Sequence, residues 1–178
     1  MREHARAGRV AGLDISITPS FFVGTLILWL VLSGVGMVVL ELPALQAAGG
    51  GLVATLLYWV TDVVHHLGHA WAARRTGYPM VGVRLGSYLV FGTSLYPADE
   101  PALPAGIHIR RALGGPLASL LFAILAGIVA LVLRPLGGVA FWLALFVLLT
   151  SFVVYTIGPF LPLGFTDGST LLQWWGKE

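Results

Sequence analysis

Long apolar runs separated by short polar punctuation dominate the chain. Residues 20–42, 51–73, 114–133 and 138–161 are each mostly hydrophobic, and each has the roughly 20 residues that a hydrocarbon core about 30 Å thick requires of a helix. The pattern predicts four transmembrane helices over those spans. The first run follows basic residues but is too long for a signal peptide, and no small-residue cleavage pattern follows it, so a retained helix is expected. Two segments change period. Residues 12–17 alternate and stop at Thr18-Pro19, which suggests a short interfacial strand. Residues 80–95 are β-branched and punctuated by glycine, which suggests a hairpin lying against or dipping into the membrane under protein cover. Pro97, Pro101 and Pro104 break the segment after it, while Pro43, Gly49–Gly51 and Pro135 suit tight reversals. With no repeat, low-complexity tract or linker, residues 1–178 read as a single membrane domain. The expected class is an all-α polytopic protein with a small membrane-associated β-hairpin.

Composition sharpens this reading. Hydrophobic residues make up 57% and charged residues 10% of the 178, against roughly 25% charged in a soluble domain. A mean hydropathy of +0.89 leaves too little polar surface to clothe a water-soluble fold. Disorder, a nucleic-acid partner and a secreted disulfide scaffold are excluded. The absence of cysteine removes thiolate metal sites and a Cys nucleophile as well. Basic residues are unevenly placed: Arg2, Arg6 and Arg9 precede the first run, Arg74, Arg75, Arg84, Arg110 and Arg111 lie between the second and third, and Lys177 follows the fourth. Only Arg134 falls on the other side. That bias predicts that both termini and the long middle connection are cytoplasmic.

Four ionisable residues sit inside the second run: Asp62, His65, His66 and His69. Such groups are costly at membrane depth and mark a functional site by default. His65 and His69 are four apart, so they share a helix face and their imidazoles can converge on one metal ion. Asp62, three residues before His65 and four before His66, is within reach of either as an acceptor that fixes a tautomer. Residues 159–168 (PFLPLGFTDG) interrupt the fourth run with two prolines and two glycines and bring Asp167 to where a third ligand would serve. Two histidine nitrogens and one carboxylate oxygen leave a fourth position open, as in catalytic rather than structural zinc sites. The plainer alternative is a set of polar residues satisfied by hydrogen bonds between helices. His108, beside Arg110 and Arg111, is expected at the interface, and the six tryptophans are expected mainly as lipid-contact residues.

The segment Val64-His65-His66-Leu67-Gly68-His69-Ala70 resembles the HExxH helix of the site-2 proteases, the intramembrane zinc metalloproteases. Residues 12–22 are similar to the opening segment of the bacterial branch, residues 114–119 (GGPLAS) to its glycine-proline motif, and residues 161–168 to its LDG motif. The resemblance spans nearly the whole chain. It implies the site-2 protease core fold, zinc held by His65, His69 and Asp167, and a bacterial cytoplasmic membrane. The departures are specific. His66 stands at the position of the general-base Glu, the Asn before the LDG motif is missing, Thr166 replaces Leu, and Ser119 stands where Asn is frequent. The connection between the second and third helices is also too short for a PDZ domain. The expectation is therefore a catalytically inactive relative serving as a structural or assembly subunit of a larger membrane complex, respiratory or photosynthetic. Small residues at 33–36 and 114–119 are its expected surfaces for lateral helix packing. The alternative is an active peptidase cutting transmembrane helices, with His66 or water replacing the Glu.

Overall fold

The computed structural model describes residues 5–177, so Arg2 of the charge count lies outside the described residues. Strands β1 (Ala5–Val10) and β2 (Leu13–Ile17) lead into helices α1 (Pro19–Val38) and α2 (Ala44–Arg75). Strands β3 (Gly82–Tyr88) and β4 (Phe91–Leu95) follow, then α3 (Ala105–Leu133) and α4 (Gly138–Leu149). A π-helical segment (Thr150–Ile157), a 3-10 turn (Gly158–Phe160) and α5 (Asp167–Trp174) complete the chain. Among the described residues, four helices are long and apolar enough to cross a membrane. Their large outward faces, such as Phe22 at 65% and Leu30 at 60% exposed on α1, are apolar as lipid contact demands.

Helix α1 starts at Pro19, whose fixed φ suits the first helical position. The Thr18 hydroxyl does not cap that helix. It donates to the Gly86 carbonyl at 2.8 Å, and Ser20 Oγ donates to the same oxygen at 2.7 Å, which stitches α1 to β3. The β component is larger than a hairpin: four strands form one sheet in the order β1-β2-β3-β4. β2 and β3 pair in parallel from Asp14↔Gly82 to Ile17↔Leu85, and the outer pairs are antiparallel. β1 escapes a pattern reading because ARAGRV has no apolar alternation; its register also shifts between Arg6 and Gly8.

Helix α2 carries the buried centre, and α3 lies against it at very short range. A Cβ on Gly68 would sit 2.5 Å from Ala118 Cβ, and one on Gly114 would sit 2.6 Å from Ala72 Cβ. Gly114 of the small residues at 114–119 is thus packed within the chain, as are Ser33 and Gly36 of α1 against Gly51 and Ala47, while Gly34 has open space beside it. Gly68→Ala is expected to force the two helices apart. Overpacking of about 1–3 kcal/mol should lower the apparent melting temperature by about 2–10 °C in a detergent thermal-shift assay.

Element bounds depart from the apolar runs in instructive ways. α2 begins at Ala44, so Gly49–Gly51 is helical rather than a reversal; without water to compete for the backbone, glycine there serves close packing. α3 begins at Ala105, nine residues ahead of the apolar run, directly after Pro104, and its first turns carry His108, Arg110 and Arg111. The fourth run is α-helical only to Leu149, then widens into the π-helix. Trp59 belongs to the core with Leu13, Tyr58, Val83 and Tyr155 and donates to Thr25 Oγ1 at 3.0 Å, so it is not a lipid-belt residue.

Candidate metal centre

The close α2–α3 contact sets the site. It lays the face of α2 bearing His65 and His69 directly on the backbone of Gly115, where any side chain would fill the space between the two imidazoles. The chain then returns through the Pro159 region, and Asp167, the first residue of α5, reaches the same point. His65 Nε2 and His69 Nε2 are 3.0 Å apart, and each lies 3.4 Å from one oxygen of the Asp167 carboxylate. With metal–ligand bonds of about 2.0–2.1 Å, the edge of a tetrahedral site is about 3.3 Å, so the three donors already stand at coordination spacing.

The outward nitrogens have partners of the right kind. His69 Nδ1–H donates to the Arg111 main-chain carbonyl at 2.8 Å, which leaves Nε2 with its lone pair facing inward. His65 Nδ1 meets Ser119 Oγ at 3.0 Å, and Ser119 is fully buried. When His65 carries its proton there too, two lone pairs and a carboxylate converge with no donor among them, an arrangement that calls for a cation. The donor set and its spacing fit a divalent ion. Ser119→Ala should lower metal affinity about 10–100-fold, checked by chelator competition on the purified protein.

His66 and Asp62 are close to this group but do different work. His66 Nδ1–H donates to the Asp62 main-chain carbonyl at 2.8 Å, and its ring edge occupies the space that a Cβ on Gly92 of β4 would need. The Asp62 carboxylate, fully buried, takes the Gly92 N–H at 3.2 Å and the Tyr155 hydroxyl at 3.0 Å on one oxygen. Its other oxygen has no hydrogen-bond partner among the described residues and lies 3.8 Å from His66 Nδ1. Asp62 therefore ties α2 to the edge strand and to the π-helix, rather than orienting a ligand histidine through its carboxylate. The π-helix aims Tyr155 at this junction and packs its ring 5.4 Å from that of His65. Such wide turns are uncommon and concentrate at functional sites.

A cavity of about 500 Å³ opens beside the triad, walled by apolar side chains such as Phe91, Val154 and Phe165, and it extends to Tyr96, Glu100 and Arg111. His108 of α3 also faces it, stacked on Trp174 of α5 at 4.2 Å. The Arg111 guanidinium beside Glu100 holds that carboxyl below its ordinary value, with His108 acting in the same direction. A lowered value means that the pair stabilises the fold at pH above the usual carboxylate range and loses that contribution as pH falls through the lowered value. Amide exchange over residues 96–104, corrected for intrinsic rate, should stay flat on mild acidification and rise only once the pH falls below the ordinary carboxylate range.

Sequence reasoning reached His65, His69 and Asp167, which the fold brings together, and Asp62 and His66 beside them. It named Gly115 only as part of the glycine-proline motif, not as the floor between the two imidazoles, and it did not reach the Arg111 carbonyl, Gly92 or Tyr155. A main-chain acceptor and a steric vacancy leave no residue-type signature. A tyrosine within the apolar fourth run was the one available hint.

A multi-pass integral membrane protein with the site-2 protease fold is what these elements define. No family model and no curated protein matches the chain. Among solved structures it is similar to the site-2 protease from Methanocaldococcus jannaschii, with a TM-score of 0.64 and 20% identity, over 96% of this chain and 70% of that one.

Proposed function

We propose that the chain is a site-2-protease-like membrane protein that holds zinc between His65, His69 and Asp167 and accommodates apolar membrane segments without hydrolysing them. The observation that carries the metal is the convergence of three acceptors at 3.0–3.4 Å. The non-hydrolytic half rests on position 66. An imidazole, tied to the Asp62 backbone and packed on Gly92, stands there instead of a mobile carboxylate. A bound divalent ion would supply Lewis acidity beside the cavity. His65, His69 and Asp167 would hold it, while Ser119 and the Arg111 carbonyl keep the two rings oriented. In this reading the protein acts as a structural or assembly subunit with both termini cytoplasmic, and lateral association would use the exposed faces of α1.

One observation favours the alternative of an active intramembrane metallopeptidase. With its proton on Nδ1, His66 keeps a lone pair on Nε2 and is competent to accept a proton from water. Elemental analysis of detergent-purified protein, prepared without chelator, should find one zinc per chain, and a model transmembrane substrate should stay intact. A metal-free folded sample would sink the first half of the proposal, and cleavage by wild type would sink the second. Native mass spectrometry in mild detergent tests the subunit role: a strictly monomeric species without copurifying protein counts against it.

A further inference from the structure

The cavity beside the triad continues to a buried arginine whose guanidinium the metal chemistry does not use. Arg111 is 4% exposed. Its guanidinium forms a two-pronged pair with Glu100, Nη1 donating to Oε2 at 2.9 Å and Nη2 to Oε1 at 2.5 Å, and Nη2 also donates to the Tyr78 carbonyl. The ring of Tyr96 lies against its other face at 4.2 Å. The Nε–H is buried and has no hydrogen-bond partner among the described residues. Glu100 comes from the strap of residues 96–104, which has no helix or strand and is punctuated by three prolines. Glu100, Arg111 and Tyr96 line the same cavity as the triad and the apolar walls.

We propose that Arg111 is a carboxylate seat at the mouth of the cavity, filled here by the chain's own Glu100, and that it receives the carboxylate of an apolar chain whose tail lies along the cavity. Two parallel N–H bonds from one guanidinium are the geometry by which arginine reads a carboxylate. Glu100 displays that geometry from an irregular segment, so exchange is like for like. The entering group keeps both prongs, and Glu100 regains water. A buried ion pair is a poor choice for mere tethering, since desolvation offsets most of its attraction and apolar contacts would serve as well. The unfilled Nε–H offers a further donor. Burial pushes the Tyr96 hydroxyl up to about 12, so it stays a neutral donor at the cavity wall. The seat does not depend on a bound ion.

Two sources share this chemistry: the free C-terminus of an apolar peptide and a fatty acid. The test is calorimetric titration of the full chain in lipid nanodiscs with four probes. These are an apolar decapeptide with a free C-terminus, its C-terminal amide, dodecanoate and dodecanol. At least one acid should bind about tenfold tighter than its neutral counterpart, and the acid that does so names the source. Glu100→Gln removes the competing charge and should tighten that acid about tenfold while leaving the neutral probe unchanged. Arg111→Lys, which keeps the charge but not the fork, should erase most of the preference. Equal binding of acid and neutral forms to wild type and to Glu100→Gln overturns the proposal. Zinc content read on the same samples separates this outcome from a failure of the metal site.

Discussion

Gly115→Ala is expected to abolish metal binding in a chain that still folds. A Cβ at that position would lie 2.6 Å from His65 Nε2 and closer still to His69 Nε2, in the space where the two imidazoles converge. Neither ring can retreat easily. His65 is held at Nδ1 by Ser119 and His69 by the Arg111 carbonyl, and both side chains are buried. Moving a ring would break one of those bonds, while leaving it would put a methyl group at the point of coordination. Loss of an outer partner alone costs about 10–100-fold in metal affinity, so direct obstruction should exceed about 100-fold. Elemental analysis of the variant, with a thermal-shift measurement to confirm folding, checks this. A folded Gly115→Ala protein with its full metal content would mean that the ion sits elsewhere.

His66→Glu is expected to create peptidase activity. A carboxylate at that position restores the HExxH spacing, on a face already supplied with both histidines and, at 3.4 Å from each, Asp167. It could take a proton from water and later deliver it to the leaving amine, assistance typically worth 10²–10⁴-fold. Cleavage of a model transmembrane substrate by wild type, His66→Glu and His66→Ala, compared side by side, reads the result. Activity only in the Glu variant supports both halves of the proposed function. Activity in wild type that His66→Ala removes makes His66 a working base and reverses the pseudoprotease reading. The Thr166 side chain, which donates to the Leu161 carbonyl, together with the missing Asn, limits how complete the gain should be.

Much of this arrangement is legible in the sequence because it is written in residue types. Apolar runs long enough to span a membrane have one physical explanation, and four ionisable groups inside one of them are costly enough to demand a purpose. His65 and His69 announce themselves by their spacing. Asp167 is found through the prolines and glycines around it. What escapes is carried by backbone or by absence. The Arg111 carbonyl looks like every other carbonyl until the fold aims it at His69. Gly115 and Gly92 matter for what they lack. β1 pairs through its main chain, not through an apolar face. The start of α3 is hidden because its first turns leave the hydrocarbon and carry arginines.

The π-helical segment bears on how the third, acidic ligand is aimed. A wide turn accommodates one residue more than an α-turn. Tightening it by one residue would rotate the helical residues that follow, to Phe160, by about 100° and slide them by about 1.5 Å. Asp167 lies ten residues beyond the end of that segment, at Ile157, whereas His65 and His69 sit on the uninterrupted α2. The bearing of the carboxylate is thus adjustable without disturbing the two imidazoles, through a phase offset held by the Tyr155 hydroxyl on Asp62 and by Thr156 Oγ1 on the Ser151 carbonyl. The phase of the π-helical span fixes where the chain leaves the helix at Phe160, from which residues 161–166 carry Asp167 across to the two imidazoles.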